Sequence, residues 1–109
     1  MATAKEIMDG ANTKLTADPA QAEGIGAVYK YVLEGDGGGT FVMNCKDAPG
    51  VTEGEGDAQC TLRMNAADFV DMAEGRANGQ QLFFTGKLKI EGDMGLAMKL
   101  QQLTKLFTS

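Results

Sequence analysis

The chain has 109 residues and no histidine, and that absence removes much of the chemistry a small domain can host. Ser-His-Asp and Cys-His nucleophilic sites are excluded within this chain, as is every histidine metal site. Cys45 and Cys60 do not have the spacing of zinc ligands, and their inward strand positions read as small buried hydrophobes rather than as a disulfide. The run Gly35-Asp36-Gly37-Gly38-Gly39 is followed neither by Gly-Lys-Ser/Thr nor by a helical pattern, so it reads as a hairpin turn and not a phosphate cradle. Asp36, Asp47 and the acidic stretch ending at Asp57 lack the alternating Asp/Asn ligands and closing Glu of a calcium loop. Asp68 and Asp71 lie at a helix start, where the helix dipole favours solvated carboxylates without any acid–base role. No enzyme, no metal and no cofactor is expected.

What remains is apolar chemistry. Seven methionines include Met64, Met72, Met94 and Met98 on apolar faces, and methionine is the flexible, polarisable side chain of sites that accept varied apolar shapes. An irregular core filled by adaptable side chains explains them equally well, and residue types alone leave both readings open.

The elements that must position these residues follow from periodicity. Thr3-Ala4-Lys5-Glu6 is a capping-box pattern, and Ile7, Ala11 and Leu15 then mark an amphipathic helix ending before Asp18-Pro19. After a short connector, Ala20 to Gly24, the set Ile25, Ala27, Tyr29, Tyr31, Leu33 alternates with polar partners as one face of a strand. Phe41, Met43 and Cys45 resume that alternation beyond the glycine turn and complete a hairpin. Pro49 to Glu53 predicts a poor edge strand, Gly54-Glu55-Gly56-Asp57 a turn, and Ala58, Cys60, Leu62, Met64 a fourth strand. Asn65 suits the cap of a helix burying Phe69, Met72 and Ala73 and ending at Gly75.

The last third carries the densest pattern. Leu82, Phe83 and Phe84 form an apolar cluster, and Lys87-Leu88-Lys89-Ile90-Glu91 alternates as a half-buried strand. Beyond Gly92, with Asp93 as cap, Leu96, Leu100, Leu103 and Phe107 stack on one side of a helix whose apolar surface is widened by Met94, Ala97, Met98 and Leu106. That surface exceeds what one contact with a sheet requires. The order helix, four strands, helix, strand, helix predicts an α+β fold: a five-stranded, mainly antiparallel sheet with helices on one face. Residues 1–109 form a single expected domain.

A net charge of −5 argues against a nucleic-acid partner, which requires neutralised phosphates. The charge is uneven: residues 76–109 carry a net +3, either a solvated face or a basic rim for anionic head groups in transient contact with a membrane surface. No apolar run approaches a membrane span, no signal-peptide pattern opens the chain, and Phe107-Thr108-Ser109 is not a Ser-Lys-Leu-type terminus. A cytoplasmic location is the expectation.

The run FFTGKLKIEGDMGLAMKL closely resembles the signature of the sterol carrier protein 2 family, the non-specific lipid-transfer proteins, in which a Phe-Phe-x-Gly-Lys-Leu-Lys-Ile strand leads into a Gly-Leu-Ala-Met-Lys-Leu helix. Weaker resemblance covers Ile25-Gly26, Cys60-Thr61-Leu62-Arg63-Met64 and Asp68-Phe69. The resemblance implies an apolar tunnel binding sterols, fatty acids, fatty acyl-CoA or phospholipids, and a carrier that moves them between membranes or to enzymes. It assigns Phe83, Phe84, Gly86, Leu88, Ile90, Met94, Leu96 and Leu100 to the tunnel segment, with Gln80 matching a family glutamine. Thr85 departs from the glutamine common at this position in the family, which leaves a polar anchor for a lipid head group open at that point. The inward faces add Tyr31, Phe41, Met43, Phe69 and Met72 to the candidate lining, and the last helix adds Met98 and Leu103. The alternative reading is a protein-interaction or substrate-presenting accessory module with a filled core.

Overall fold

The computed structural model describes residues 3–22, 24–97, 99 and 107. Helix α1 spans Ala4–Ala17. Its start is the expected capping box: Thr3 Oγ1 accepts from the Glu6 amide at 3.2 Å and the Glu6 carboxylate accepts from the Thr3 amide at 3.1 Å. Ala4, Ile7, Met8, Ala11 and Leu15 form its buried stripe. The residue before a proline disfavours helical backbone, and the helix gives way at Asp18 to a 3-10 helix over Pro19–Ala22.

Five strands follow the alternation: β1 Val28–Glu34, β2 Gly39–Asn44, β3 Gly50–Glu53, β4 Cys60–Asn65 and β5 Lys89–Gly92. They form one sheet in the order β3-β2-β1-β4-β5. Three neighbouring pairs are antiparallel, and β1 runs parallel to β4, so the sheet is mixed. The register aligns Phe41, Tyr31, Leu62 and Ile90 in one row across the inner face, and Met43, Tyr29 and Cys60 in the next. Helices α1 and α2, the latter Ala66–Ala73, pack against each other and against the sheet, and with its inner face they enclose one core.

The parallel pair corrects the expected turn at Gly54 to Asp57. A turn there would set β4 antiparallel to β3, yet both run in the direction of β1. The chain must therefore cross about three strand spacings of roughly 4.8 Å each, and residues 54–59 make an open crossover instead. It runs along the outer face, where Lys30 bonds Glu55 at 3.3 Å. A Cβ on Gly56 would lie 3.1 Å from a Val42 methyl, so glycine lets the crossover hug the strand.

The signature stretch also departs from expectation. Phe83 and Phe84 belong to a short helix, α3 over Gly79–Phe84, not to a strand. Asn78 caps it, its side chain accepting from the Gln80 amide at 2.8 Å, and after Thr85 the chain turns at Gly86, whose φ of 81° favours glycine. Strand β5 starts only at Lys89. Asn65 occupies the N-cap of α2 without a side-chain capping bond. Asp93 does cap α4, Met94–Ala97, its carboxylate accepting from the Gly95 amide at 2.9 Å. Met98 and residues 100–106 of the expected final helix lie outside the described residues.

Edge strand β3 is held to α1 by Asn12 Oδ1, which accepts from the Val51 amide at 2.8 Å, and by the exposed pair of Lys5 with Glu53 at 3.3 Å. Asn12→Ala leaves that half-buried amide without its partner, at a cost of about 1–2 kcal/mol. Urea denaturation should show a lower midpoint with an unchanged slope, and a thermal midpoint reduced by about 4–8 °C per kcal/mol.

Candidate functional site

Alternation places Tyr29 and Tyr31 on the inner face of the central strand, and both are fully buried. Burying a hydroxyl without a partner is costly, and the two residues meet that constraint differently. Tyr29 Oη donates to the Leu96 carbonyl at 2.8 Å and so ties β1 to α4. Lys99 adds a second tie, its ammonium donating to the carbonyls of Ile25 at 2.9 Å and Gly24 at 3.3 Å. The Tyr31 hydroxyl has no partner among the described residues.

Around Tyr31 the surroundings are aromatic and aliphatic. Its ring meets Phe69 and Phe107 edge-on, each at 5.7 Å between centroids, and Phe69 and Phe107 stand 5.0 Å apart, also edge-on. Such T-shaped contacts align the positive edge of one ring with the negative face of another. No charged side chain is buried among the described residues, and no cluster of potential metal ligands occurs among them.

The inner face carries two thiols, Cys45 and Cys60, both buried and free. Burial pushes the Cys45 thiol up to about 11, and burial followed by the negative charge of Asp93 raises that of Cys60. Tyr29 is pushed up to about 12, mainly by burial. These groups are neutral at ordinary pH, so the thiolate a nucleophile needs is not populated.

The candidate lining residues divide into three groups. Tyr31, Phe41, Met43, Phe69, Met72 and Leu88 are buried, while Ile90 and Leu96 are partly buried against the same core. Gln80, Phe83 and Phe84 lie at the surface, with Phe83 39% and Phe84 81% exposed. A six-residue helix that buries Leu82 toward the core turns the next two side chains outward. Met94 lies in α4, whereas Met98, Leu100 and Leu103 lie outside the described residues. Thr85 is engaged locally, its hydroxyl donating to the carbonyls of Gln81 and Leu82 at 2.9 and 3.2 Å.

Two participants escaped the candidate lining. Leu62 sits between Tyr31 and Ile90 in the cross-strand row, a position its alternation already signalled. Phe107 reaches the Tyr31 ring, and the only sequence signal for it was its four-residue spacing from Leu103. The basic rim shrinks as well. Arg76 is paired with Asp71 at 2.9 Å and Glu74 at 2.7 Å, and Lys99 is engaged by carbonyls. Lys87 and Lys89 remain exposed, a few residues along the chain from the Phe83–Phe84 pair, and Lys105 lies outside the described residues.

The raised pKa values carry a stability consequence. A group whose folded value is raised contributes stability that is present below its unfolded value and lost as pH rises through the folded one. For Cys45 that window runs from about 9 to about 11, and for Tyr29 from about 10 to about 12. Unfolding free energy should fall progressively from pH 9 to 12, and Cys45→Ala should flatten the lower part of that fall. At pH 8 a thiol reagent should label neither cysteine in native protein and both after denaturation.

The profile of the SCP-2 sterol transfer family matches residues 5–105. Human sterol carrier protein 2 is 44% identical over 84 residues, a stretch covering 72% of this chain and 15% of the human protein. The chain thus spans only a small part of the length of that relative. Among solved structures, sterol carrier protein 2 from Yarrowia lipolytica in its apo form aligns with a TM-score of 0.76 and 28% identity, covering 92% of this chain and 84% of that one. The Aedes aegypti sterol carrier protein 2 solved in complex with palmitate aligns with a TM-score of 0.68 and 18% identity, covering 97% and 98%.

Proposed function

The chain belongs to the SCP-2 sterol transfer family, and from that premise we propose that residues 1–109 are a non-enzymatic lipid carrier, holding fatty acids, fatty acyl-CoA, sterols or phospholipids between the sheet and the helices. The observation that carries this reading is the character of the interior: aromatic, aliphatic and thiol groups, with no buried charge among the described residues. A ligand there is selected by apolar area. Each buried methylene contributes about 0.8 kcal/mol, so a 16-carbon chain offers roughly 12 kcal/mol before about 4–15 kcal/mol of association costs. A bilayer offers that chain a similar environment, so exchange between carrier and membrane is close to thermoneutral. The palmitate of the Aedes complex makes a saturated acyl chain the first ligand to try.

In this reading the segment after Asp93 is the lid. The Tyr29–Leu96 and Lys99–Ile25 bonds hold it at its root, and an entering chain takes the place of Phe107 beside Tyr31 and Phe69. No described helix is long and apolar enough to cross a membrane, and in this reading contact with a bilayer falls to the exposed Phe83 and Phe84 together with the exposed Lys87 and Lys89 that follow them in the chain. Burying a phenylalanine side chain contributes about 1.5–3 kcal/mol.

One observation favours a second reading, an accessory module with a filled core: the Tyr31, Phe69 and Phe107 rings already pack edge to face at its centre. Displacement of a fluorescent fatty acid by palmitate or palmitoyl-CoA, joined to native mass spectrometry of gently purified protein, separates the two. The carrier should retain host lipid, bind the probe, and gain about 2.7 kcal/mol of stability at a ligand concentration one hundred times its dissociation constant. A lipid-free protein whose melting ignores added acyl-CoA would establish the filled-core module.

Transfer to vesicles tests the docking surface. Rates to anionic vesicles should exceed those to neutral ones and fall between about 0.05 and 0.5 M salt, as the Debye length shrinks from about 14 to 4 Å. Phe84→Ser should slow transfer about tenfold while probe affinity stays within twofold. Equal, salt-insensitive rates would return the two lysines to a solvated face.

A further inference from the structure

Tyr31 occupies the middle of the central strand, fully buried, with its hydroxyl unpartnered among the described residues. Phenylalanine would fill nearly the same volume without burying an unsatisfied polar atom, a cost native interiors avoid. Tyr29, two residues earlier on the same face, shows how this fold satisfies such a group, through the Leu96 carbonyl. The rings of Phe69 and Phe107 lie edge-on to Tyr31, and its cross-strand neighbours are Phe41 and Leu62. None of these four side chains can accept or donate a conventional hydrogen bond.

Resting on the carrier reading above, we propose that the Tyr31 hydroxyl is the recognition point for a single neutral oxygen on an otherwise apolar ligand: a sterol hydroxyl or the carbonyl of an acyl ester. Neutrality follows from the surroundings. No cation is buried among the described residues, so a carboxylate or phosphate brought to Tyr31 would lose its hydration with no countercharge. Ligands with charged heads keep them at the surface, whereas a neutral oxygen enters and is bound inside. The phenol is suited to this role because it both donates and accepts. Burial, followed by the neighbouring Cys45, holds its acidity well below that of a free phenol, so the donor proton is retained across the physiological range.

The test compares wild-type protein with Tyr31→Phe by displacement of a fluorescent fatty acid. The competitors are cholesterol, the same sterol lacking its 3-hydroxyl, methyl palmitate and palmitate. Wild-type protein should favour cholesterol over the deoxysterol by about 3- to 10-fold, the worth of one net hydrogen bond, and Tyr31→Phe should abolish that preference. Affinity for the deoxysterol and for palmitate should stay within twofold, and the ligand-free variant should melt no lower than wild type. A loss confined to cholesterol assigns the hydroxyl as the partner, and one confined to methyl palmitate assigns the ester carbonyl. If wild-type protein binds palmitate but does not distinguish cholesterol from the deoxysterol, and methyl palmitate affinity is unchanged in the variant, the assignment of Tyr31 is overturned while the carrier reading stands. Failure of wild-type protein to bind the fatty-acid probe at all would overturn both.

Discussion

Burial of the inner face of β1 is the constraint on which the rest of this structure depends. The strand pairs on both sides, antiparallel with β2 and parallel with β4, so its backbone polar groups are satisfied within the sheet. Its inward side chains, Tyr29, Tyr31 and Leu33, then require a cover. Each covering element is fixed by what it brings to that face. Helix α2 supplies Phe69 against the Tyr31 ring, α4 supplies the Leu96 carbonyl to Tyr29, and Phe107 completes the ring cluster. Strands β2 and β4 extend the same surface laterally through Phe41, Met43, Cys60 and Leu62.

That constraint also explains the chemical silence of the interior. Thiols and phenols are its polar groups, and burial keeps the shifted ones neutral. The charges of the described residues lie at the periphery, where pairs such as Arg76 with Asp71 and Glu74 or Arg63 with Glu91 are exposed to solvent and contribute little to stability. Among the described residues the Tyr31 hydroxyl is the interior's unpartnered polar group. Membership in the SCP-2 sterol transfer family fits that division of labour between an inert inside and a charged outside.

Much of the fold was legible because period-two alternation reports a one-sided strand directly. Tyr29, Tyr31 and Leu33, then Phe41, Met43 and Cys45, then Cys60, Leu62 and Met64 all lie buried as their spacing required. The capping box at Thr3 and Glu6 and the cap at Asp93 were equally local and equally readable. The Phe83–Phe84 pair misled: two adjacent phenylalanines suit a strand and a helix face alike, and the neighbouring cap at Asn78 with the turn at Gly86 places them in a helix.

What the sequence by itself determined is the identity of the inward faces and the absence of histidine-based chemistry, because both follow from residue type and local period. Only the tertiary structure decided the rest. The glycines at 54 and 56 permit a turn or an open crossover, and the choice depends on β4 finding its parallel place beside β1 rather than on anything between residues 54 and 59. Tyr29 and Tyr31 have the same side chain, face and burial, and no local pattern separates them. One hydroxyl meets the Leu96 carbonyl, sixty-seven residues along the chain, and the other meets no partner among the described residues. Hydrogen-bond satisfaction depends on which distant backbone arrives, and that arrangement exists only once the chain has folded.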